Sequence, residues 1–219
     1  MSDHKTIVEN LSILNKILRH DLQNALTVQL GSLELFKEEQ DEESLEILYN
    51  SIVKSLKLIE KVKDLEYTLQ KNGETLELYS ARELIEESIL PYLDSPIKIK
   101  VQGDSSIRVD GAFSSVIDNI ISNALIHSGT DRLDITIDRM EALHSSEPYC
   151  EIKIADCGIG IPNKNKEKIF KEGFRVGKNA GSGLGLYIVK KVVERYGGEI
   201  FVKDNSPQGS IFVLRLQSQ

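Results

Sequence analysis

GSGLGLYIVKK, residues 181–191, is the stretch on which the fold turns. Gly181, Gly183 and Gly185 lead directly into an amphipathic helical pattern over residues 184–196, which Gly197 and Gly198 stop. A helix N-terminus offers free backbone N–H groups and positive potential, so a glycine-rich entry to one suits phosphate. The spacing is GxGxG with no obvious strand before it, unlike a dinucleotide fingerprint, and no GK[ST] follows as in a Walker loop. Taken alone, the run reads equally as a flexible hinge before a helix.

Two further motifs lie upstream. DCGIGIP, residues 156–162, follows a strand pattern. A carboxylate at Asp156 accepts a hydrogen bond from an exocyclic amine such as adenine N6 and repels the carbonyl that guanine carries there. Gly158 and Gly160 allow close backbone approach to a flat ring and positive φ. The bland reading is a surface turn after a strand. NIISNALIH, residues 119–127, places Asn119 and Asn123 one turn apart on the same face of an otherwise apolar helix. Their amide oxygens suit a nucleotide-bound Mg²⁺, which takes few protein ligands; they serve equally well to tether a neighbouring loop. All three motifs in one domain, in this order, favour an adenine-nucleotide site over their separate bland readings.

The surrounding pattern is α/β. Short strands are predicted at 76–79, 97–101 and 107–109, and longer ones at 133–140 and 149–156. Ser80 with Glu83 reads as a capping box opening a helix to about Leu90, and residues 113–127 read as a helix with Val116, Ile117, Ile120, Ile121 and Leu125 inward. EIFVKD and SIFVLRL close the chain as a hairpin around NSPQG, residues 205–209. The expected architecture is a two-layer sandwich with helices on one face of a mixed sheet. Residues 5–70 differ: they hold no proline and one glycine, Gly31, and leucines recur at helical spacing from Leu11 to Leu33 and again from Leu45 to Leu69. This predicts an antiparallel helical hairpin whose apolar stripes are covered by a second copy, giving a four-helix bundle, the alternative being a monomeric hairpin packed on the second half of the chain. KNGE at 71–74 breaks the pattern. The expected fold class is therefore α+β, with a helical hairpin over 1–72 and a sandwich domain over 73–219.

Bulk properties exclude several classes. A net charge of −7 over 219 residues argues against a nucleic-acid binder. Two cysteines, Cys150 and Cys157, make neither a disulfide framework nor a zinc site. No apolar run reaches membrane-spanning length, and residues 1–11 lack the apolar core of a signal peptide. The expectation is a cytoplasmic chain without membrane contact of its own, or the cytosolic end of a longer sensor.

One motif remains. RHDLQNAL, residues 19–26, sets His20 roughly 160–200° around its helix from Leu18 and Leu22, away from their seam. A neutral imidazole is a competent nucleophile toward the γ-phosphate of ATP, and Asp21 beside it can take the ring proton or hold the tautomer.

These motifs resemble the N, G1 and G2 boxes of the sensor histidine kinases, whose ATP-binding domain is of the GHKL type shared with gyrase B, Hsp90 and MutL. IFKEGFRVGK, residues 169–178, resembles their F box, and HDLQN their H box, so the resemblance covers nearly the whole chain. It implies an ATP- and Mg²⁺-dependent kinase that phosphorylates itself on His20 and passes the phosphoryl group to an aspartate of a response-regulator receiver domain. It implies Asn123 as the Mg²⁺ ligand with Asn119 nearby, and Asp156, Gly158 and Gly160 at adenine. Phe170 and a lid over 177–183 flank the nucleotide, with Lys178, Gly181, Gly183, Leu184 and Gly185 around it and Arg175 near the γ-phosphate. Asp21 and Asn24 match an acid-x-x-Thr/Asn pattern, in which Asn24 positions water to dephosphorylate the partner. Two positions depart from the family pattern: Ile126 stands where many members carry lysine, and Ala25 where proline is common. A serine kinase of the anti-sigma type needs no HDLQN helix, and a degenerate docking scaffold has only Ile126 in its favour.

Overall fold

The computed structural model describes residues 2–70, 76–141, 148–175 and 183–218, with the side chains of 2–18, 20, 21, 61 and 64–70 outside the description. The interdomain break expected at 71–74 lies outside the described residues.

Helix α1 (Ser2–Glu39) and helix α2 (Glu42–Gln70) form the hairpin. Gln40 turns the chain at φ 53°, and Asp41 opens α2 by accepting from the Ser44 N–H at 2.7 Å and the Ser44 hydroxyl at 2.8 Å. The seam between the helices takes only part of the apolar stripes, Leu22, Leu48 and Val62 among them. It runs through Leu22, Ala25, Gln29, Ser32 and Phe36 of α1 and Ser44, Leu48, Ser51, Ser55, Leu58 and Val62 of α2, a three-four repeat of half-buried and buried positions. Small polar residues stitch it: Ser51 donates to the Ala25 carbonyl at 3.2 Å, and Gln29 donates to Ser55 Oγ at 2.9 Å. Leu26, Leu30, Leu33, Leu45, Ile52, Leu56 and Ile59 lie outside the seam and are all exposed. One hairpin thus satisfies one stripe and leaves a second uncovered.

The sandwich begins with β1 (Glu77–Ser80), which pairs antiparallel with β3 (Ser106–Val109) as a separate small sheet. Between them lie α3 (Ala81–Ile89) and β2 (Lys98–Gly103). Ser80 caps α3 by accepting from the Glu83 N–H, and Pro91 turns the end of α3 into a short 3₁₀ segment, Leu90–Tyr92. Helix α4 (Ala112–Asn123), β4 (Arg132–Met140), β5 (Tyr149–Asp156), α5 (Asn163–Lys166), α6 (Gly185–Arg195), β6 (Glu199–Asp204) and β7 (Ser210–Gln217) complete the chain.

The main sheet has the order β2-β4-β5-β7-β6, with β2 and β4 parallel and the other pairs antiparallel, so it is mixed as expected. Its register lines up Val101, Ile135, Ile154, Phe212 and Val202 in one apolar row across all five strands. Alternate residues face the helices, and the buried set continues into Ile85 of α3, Phe113, Ile117 and Ile120 of α4, and Ile188, Val189 and Val192 of α6. The hairpin joins this core: α2 packs on α6 and α4, with Leu58 buried in the common cluster.

The helix expected over 113–127 is shorter. The Ala124 N–H is shared between the carbonyls of Ile120 and Ile121, and the chain loosens into a π-helical turn, Ala124–Ser128, ended by Gly129 at φ 65°. His127 is exposed in that turn.

Candidate functional site

Helices α4 and α6 lie side by side, and their ends bring the asparagine and glycine motifs together. Asn119 is buried, donating to the Ser115 carbonyl at 2.9 Å and to Ser115 Oγ at 3.3 Å. Its Oδ1 is buried without a hydrogen-bond partner among the described residues. A side chain on Gly185 would place its first carbon 2.7 Å from that oxygen and 3.6 Å from Asn123 Nδ2. Glycine is therefore required at the first residue of α6 for both asparagines to reach the helix N-terminus. Asn123 spends its amide nitrogen on the Asn119 carbonyl at 2.6 Å, so its oxygen is the group left for a ligand.

Leu184, itself buried, is the N-cap of α6 and supplies no side-chain cap. The first helical hydrogen bond runs from Ile188 N to the Leu184 carbonyl at 2.8 Å. The N–H groups of Gly185, Leu186 and Tyr187 precede it and have no partner within the helix.

The turn after β5 is held on both sides. Cys157 N–H donates to Thr130 Oγ1 at 3.2 Å and Ile159 N–H to the Ser128 carbonyl at 3.0 Å, while Gly158 N–H donates to Asp156 Oδ1 at 2.9 Å. From the other side Asn205 Nδ2 donates to the Asp156 carbonyl at 2.8 Å and Gln208 Nε2 to the Cys157 carbonyl at 3.0 Å. Asp156 is buried, and Gly158 is the only described donor to its carboxylate, which leaves the second oxygen as an acceptor. The two glycines divide their work differently from the expectation. Gly160 takes φ 75°, whereas Gly158 is needed because a side chain there would stand 2.1 Å from the Ser128 carbonyl oxygen. The close approach is to the chain's own backbone.

Phe170 is buried edge-on against Phe212, ring centroids 6.4 Å apart, and so anchors its segment in the core. Gly173 N–H donates to the Gly183 carbonyl at 3.2 Å, and Gly183 at φ 70° has no room for a side chain beside Gly173 and Phe174. The two ends of the segment bearing Lys178 and Gly181 are thus bonded together; those two residues themselves lie outside the described set. Burial raises the Glu172 carboxyl above the usual glutamate range, and its Oε1 is buried without a hydrogen-bond partner among the described residues. Burial, then the charges of Glu172 and Glu194, push the Tyr187 phenol up to about 12. Arg175 is exposed at the end of the described segment, and Ile126 and Ile159 are the most exposed apolar side chains around the site.

The structure therefore brings Asn119, Asn123, Gly183, Leu184 and Gly185 into one region and Asp156, Gly158 and Gly160 into the adjoining turn. On α1, Asn24 is exposed; the side chains of His20 and Asp21 lie outside the described residues. Ser128, Thr130, Asn205 and Gln208 escaped the sequence reading. NSPQG carried a signal only as a turn, and the two hydroxyl residues carried none.

This strand order, with nucleotide motifs at the facing ends of two helices, defines an ATPase domain of the GHKL type. Residues 108–219 match the family model of histidine kinase-, DNA gyrase B- and HSP90-like ATPases, and residues 10–68 match the His Kinase A phospho-acceptor domain. The chain belongs to the sensor histidine kinases of two-component signalling. It is 27% identical over 98% of its length to the adaptive-response sensory kinase SasA of a Synechocystis species, and 28% identical over 90% to the sensor protein IrlS of Burkholderia pseudomallei. It spans 62% of SasA and 45% of IrlS. Among solved structures, the Acinetobacter baumannii histidine kinase AdeS superposes with a TM-score of 0.71 at 21% identity, covering 91% of this chain and 98% of that one. A mycobacterial sensor histidine kinase, MprB, superposes with a TM-score of 0.57 at 27% identity over 66% of this chain and 98% of its own.

Proposed function

We propose that this chain is the kinase core of a two-component sensor, an ATP-dependent protein-histidine kinase whose acceptor is His20. The observation that carries the reading is one site joining an acceptor carboxylate at Asp156, an Asn123 amide oxygen not used in its bond to Asn119 and an α6 N-terminus with no side-chain cap among the described residues, on the same chain as a phospho-acceptor hairpin. Asp156 accepts from the adenine amine, with Gly158 and Gly160 shaping its turn. The α6 amides, with Gly181, Gly183, Leu184 and Gly185, take the phosphates, and Arg175 and Lys178 orient the terminal one. Asn123 would be the protein ligand for a nucleotide-bound Mg²⁺, with Asn119 nearby, and the ion would supply neutralisation of phosphate charge. Phe170 anchors the segment leading to the lid.

The His20 nitrogen attacks the γ-phosphorus, the N–P bond forms as the bond to the β,γ-bridging oxygen breaks, ADP leaves, and Asp21 receives or orients the ring proton. The phosphoryl group then passes to an aspartate of a receiver domain, and Asn24 positions water for the reverse, dephosphorylating role. The uncovered stripes of Leu26, Leu30, Ile52 and Leu56 meet those of a second copy to complete a four-helix bundle, placed in the cytoplasm.

The test incubates the 219-residue chain and His20→Gln with γ-labelled ATP and Mg²⁺. Acid-labile, base-stable label that is absent from the variant is expected. Label of that kind persisting in His20→Gln refutes the acceptor, and acid-stable label on a partner's serine refutes the reaction class.

A further inference from the structure

The turn NSPQG between β6 and β7 does more than reverse the chain. Asn205 and Gln208 donate their side-chain amides to two consecutive carbonyls, those of Asp156 and Cys157. Neither bond is needed to close the hairpin. That is done by Asn205 N–H to the Gly209 carbonyl at 3.0 Å and by the pairing of Asp204 with Ser210. The Asn205 amide is itself oriented, because its Oδ1 accepts from Ser206 N–H at 2.9 Å, which turns Nδ2 toward Asp156. Gly209 completes the contact: a side chain there would stand 2.0 Å from the Asp156 carbonyl oxygen. Pairing of β5 with β7 ends at Ala155, while Asp156 still pairs with Leu133 of β4, so on the β7 side these two carbonyls are met by the neighbouring loop instead of by a strand.

We propose that Asn205 and Gln208 are positioning residues for base recognition, holding the turn that aims the free oxygen of Asp156. The inference rests on the reading of Asp156 as the adenine acceptor. Asp156 Oδ1 is bonded to Gly158 N–H within the same turn, so a rotation of the 156–157 peptides moves the carboxylate with it. Loss of the brace weakens contact with the base and leaves contact with the phosphates intact. Adenine preference falls rather than nucleotide binding in general.

The experiment measures ATP and GTP affinity by calorimetry on the full chain, its Asn205→Ala/Gln208→Ala variant and Asp156→Asn, with inorganic tripolyphosphate as the phosphate-only probe. Two lost hydrogen bonds predict roughly a tenfold weaker ATP affinity, an equal fall in the ATP-to-GTP ratio, and unchanged tripolyphosphate binding. A double variant that binds ATP and GTP like the parent, while Asp156→Asn loses ATP, overturns the brace alone. Normal ATP binding by Asp156→Asn overturns the base reading and the brace with it. Should the double variant fail to fold, Gln208→Glu decides, because Gln208 is exposed and glutamate keeps the shape without the donor. A roughly threefold loss confined to ATP is expected of it, and no loss refutes the proposal.

Discussion

Replacing Gly185 by alanine tests whether α6 is aimed by its contact with the two asparagines. The added methyl carbon stands 2.7 Å from Asn119 Oδ1, and Asn119 cannot swing aside because Ser115 holds its amide at 2.9 and 3.3 Å. Reaching an ordinary contact takes roughly 0.7 Å of movement, shared between the start of α6 and the asparagine. Overpacking of this kind costs about 1–3 kcal/mol. Alanine returns up to about 0.8 kcal/mol through helix propensity, and less at a first helical residue than in the interior. The net loss of about 0.2–3 kcal/mol lowers Tm by roughly 0.5–12 °C for a chain of this size. Function suffers more than folding does, since the same shift displaces the α6 amides from Asn123, and a misplacement of about 1 Å can cost a hundredfold in rate. The expected outcome is a folded variant with ATP affinity and autophosphorylation each reduced roughly tenfold or more. Gly31→Ala is the control, because a side chain there meets nothing within 4 Å; it should stabilise α1 by about 0.5–1 kcal/mol and leave ATP binding unchanged. Calorimetric affinity beside thermal melting reads both. Normal ATP binding by Gly185→Ala refutes the claim that the asparagine pair sets the position of the α6 N-terminus.

Three further outcomes follow from the same packing. Asp110 sits at the entry to α4 and accepts from the Ala112 N–H at 3.1 Å, from Arg195 at 2.8 Å and from the Tyr196 hydroxyl at 2.5 Å, tying the start of α4 to the end of α6. Asp110→Ala removes the carboxylate that the half-buried Arg195 and the Tyr196 hydroxyl both bond to, and should cost about 2 kcal/mol in chemical denaturation. On the outer face of the sheet, burial raises the Glu151 carboxyl, but hydrogen bonds from Arg215 and Lys153 outweigh it and leave the group below its ordinary pKa of 4.5. A depressed folded-state pKa adds stability above the unfolded value and loses it as pH falls through the folded value, so the stability gap between the parent and Glu151→Gln should shrink below pH 4.5 in urea titrations. Finally, burial pushes the Cys150 thiol up to about 11, whereas Cys157 is exposed beside Asp156. Native alkylation should label Cys157 alone, with ATP slowing the reaction, and labelling of Cys150 at a comparable rate would contradict the packing of β5.

How much of this was legible depends on what a residue type reports. The strands alternate because one face is buried and the other solvated, so Leu133, Ile135 and Ile137 announced β4, and the small residues of Gly181 to Gly185 announced the entry to α6. The asparagine pair was visible as two amides on an apolar face, and the structure puts one of them, Asn119, out of contact with solvent. The hairpin was legible as helices but not as an interface. Leucine spacing marks every position that must leave water, without saying which partner covers it. The intramolecular seam took the serines and Ala25, where close backbone approach matters, and left Leu26, Leu30 and Leu56 for another surface. The change from α- to π-helix at Ala124 had no residue to announce it, because alanine and leucine favour helix; the π turn ends at Ser128, whose carbonyl, like Thr130 Oγ1, bonds to the Asp156 turn. The glycines are the sharpest case. In sequence a glycine beside a ligand motif reads as room for the ligand; at Gly158, Gly185 and Gly209 the room is occupied by Ser128, Asn119 and the Asp156 carbonyl. Those three contacts join four segments far apart in the chain into one site. A side chain at any of them would therefore disturb the proposed nucleotide site by separating parts of the protein.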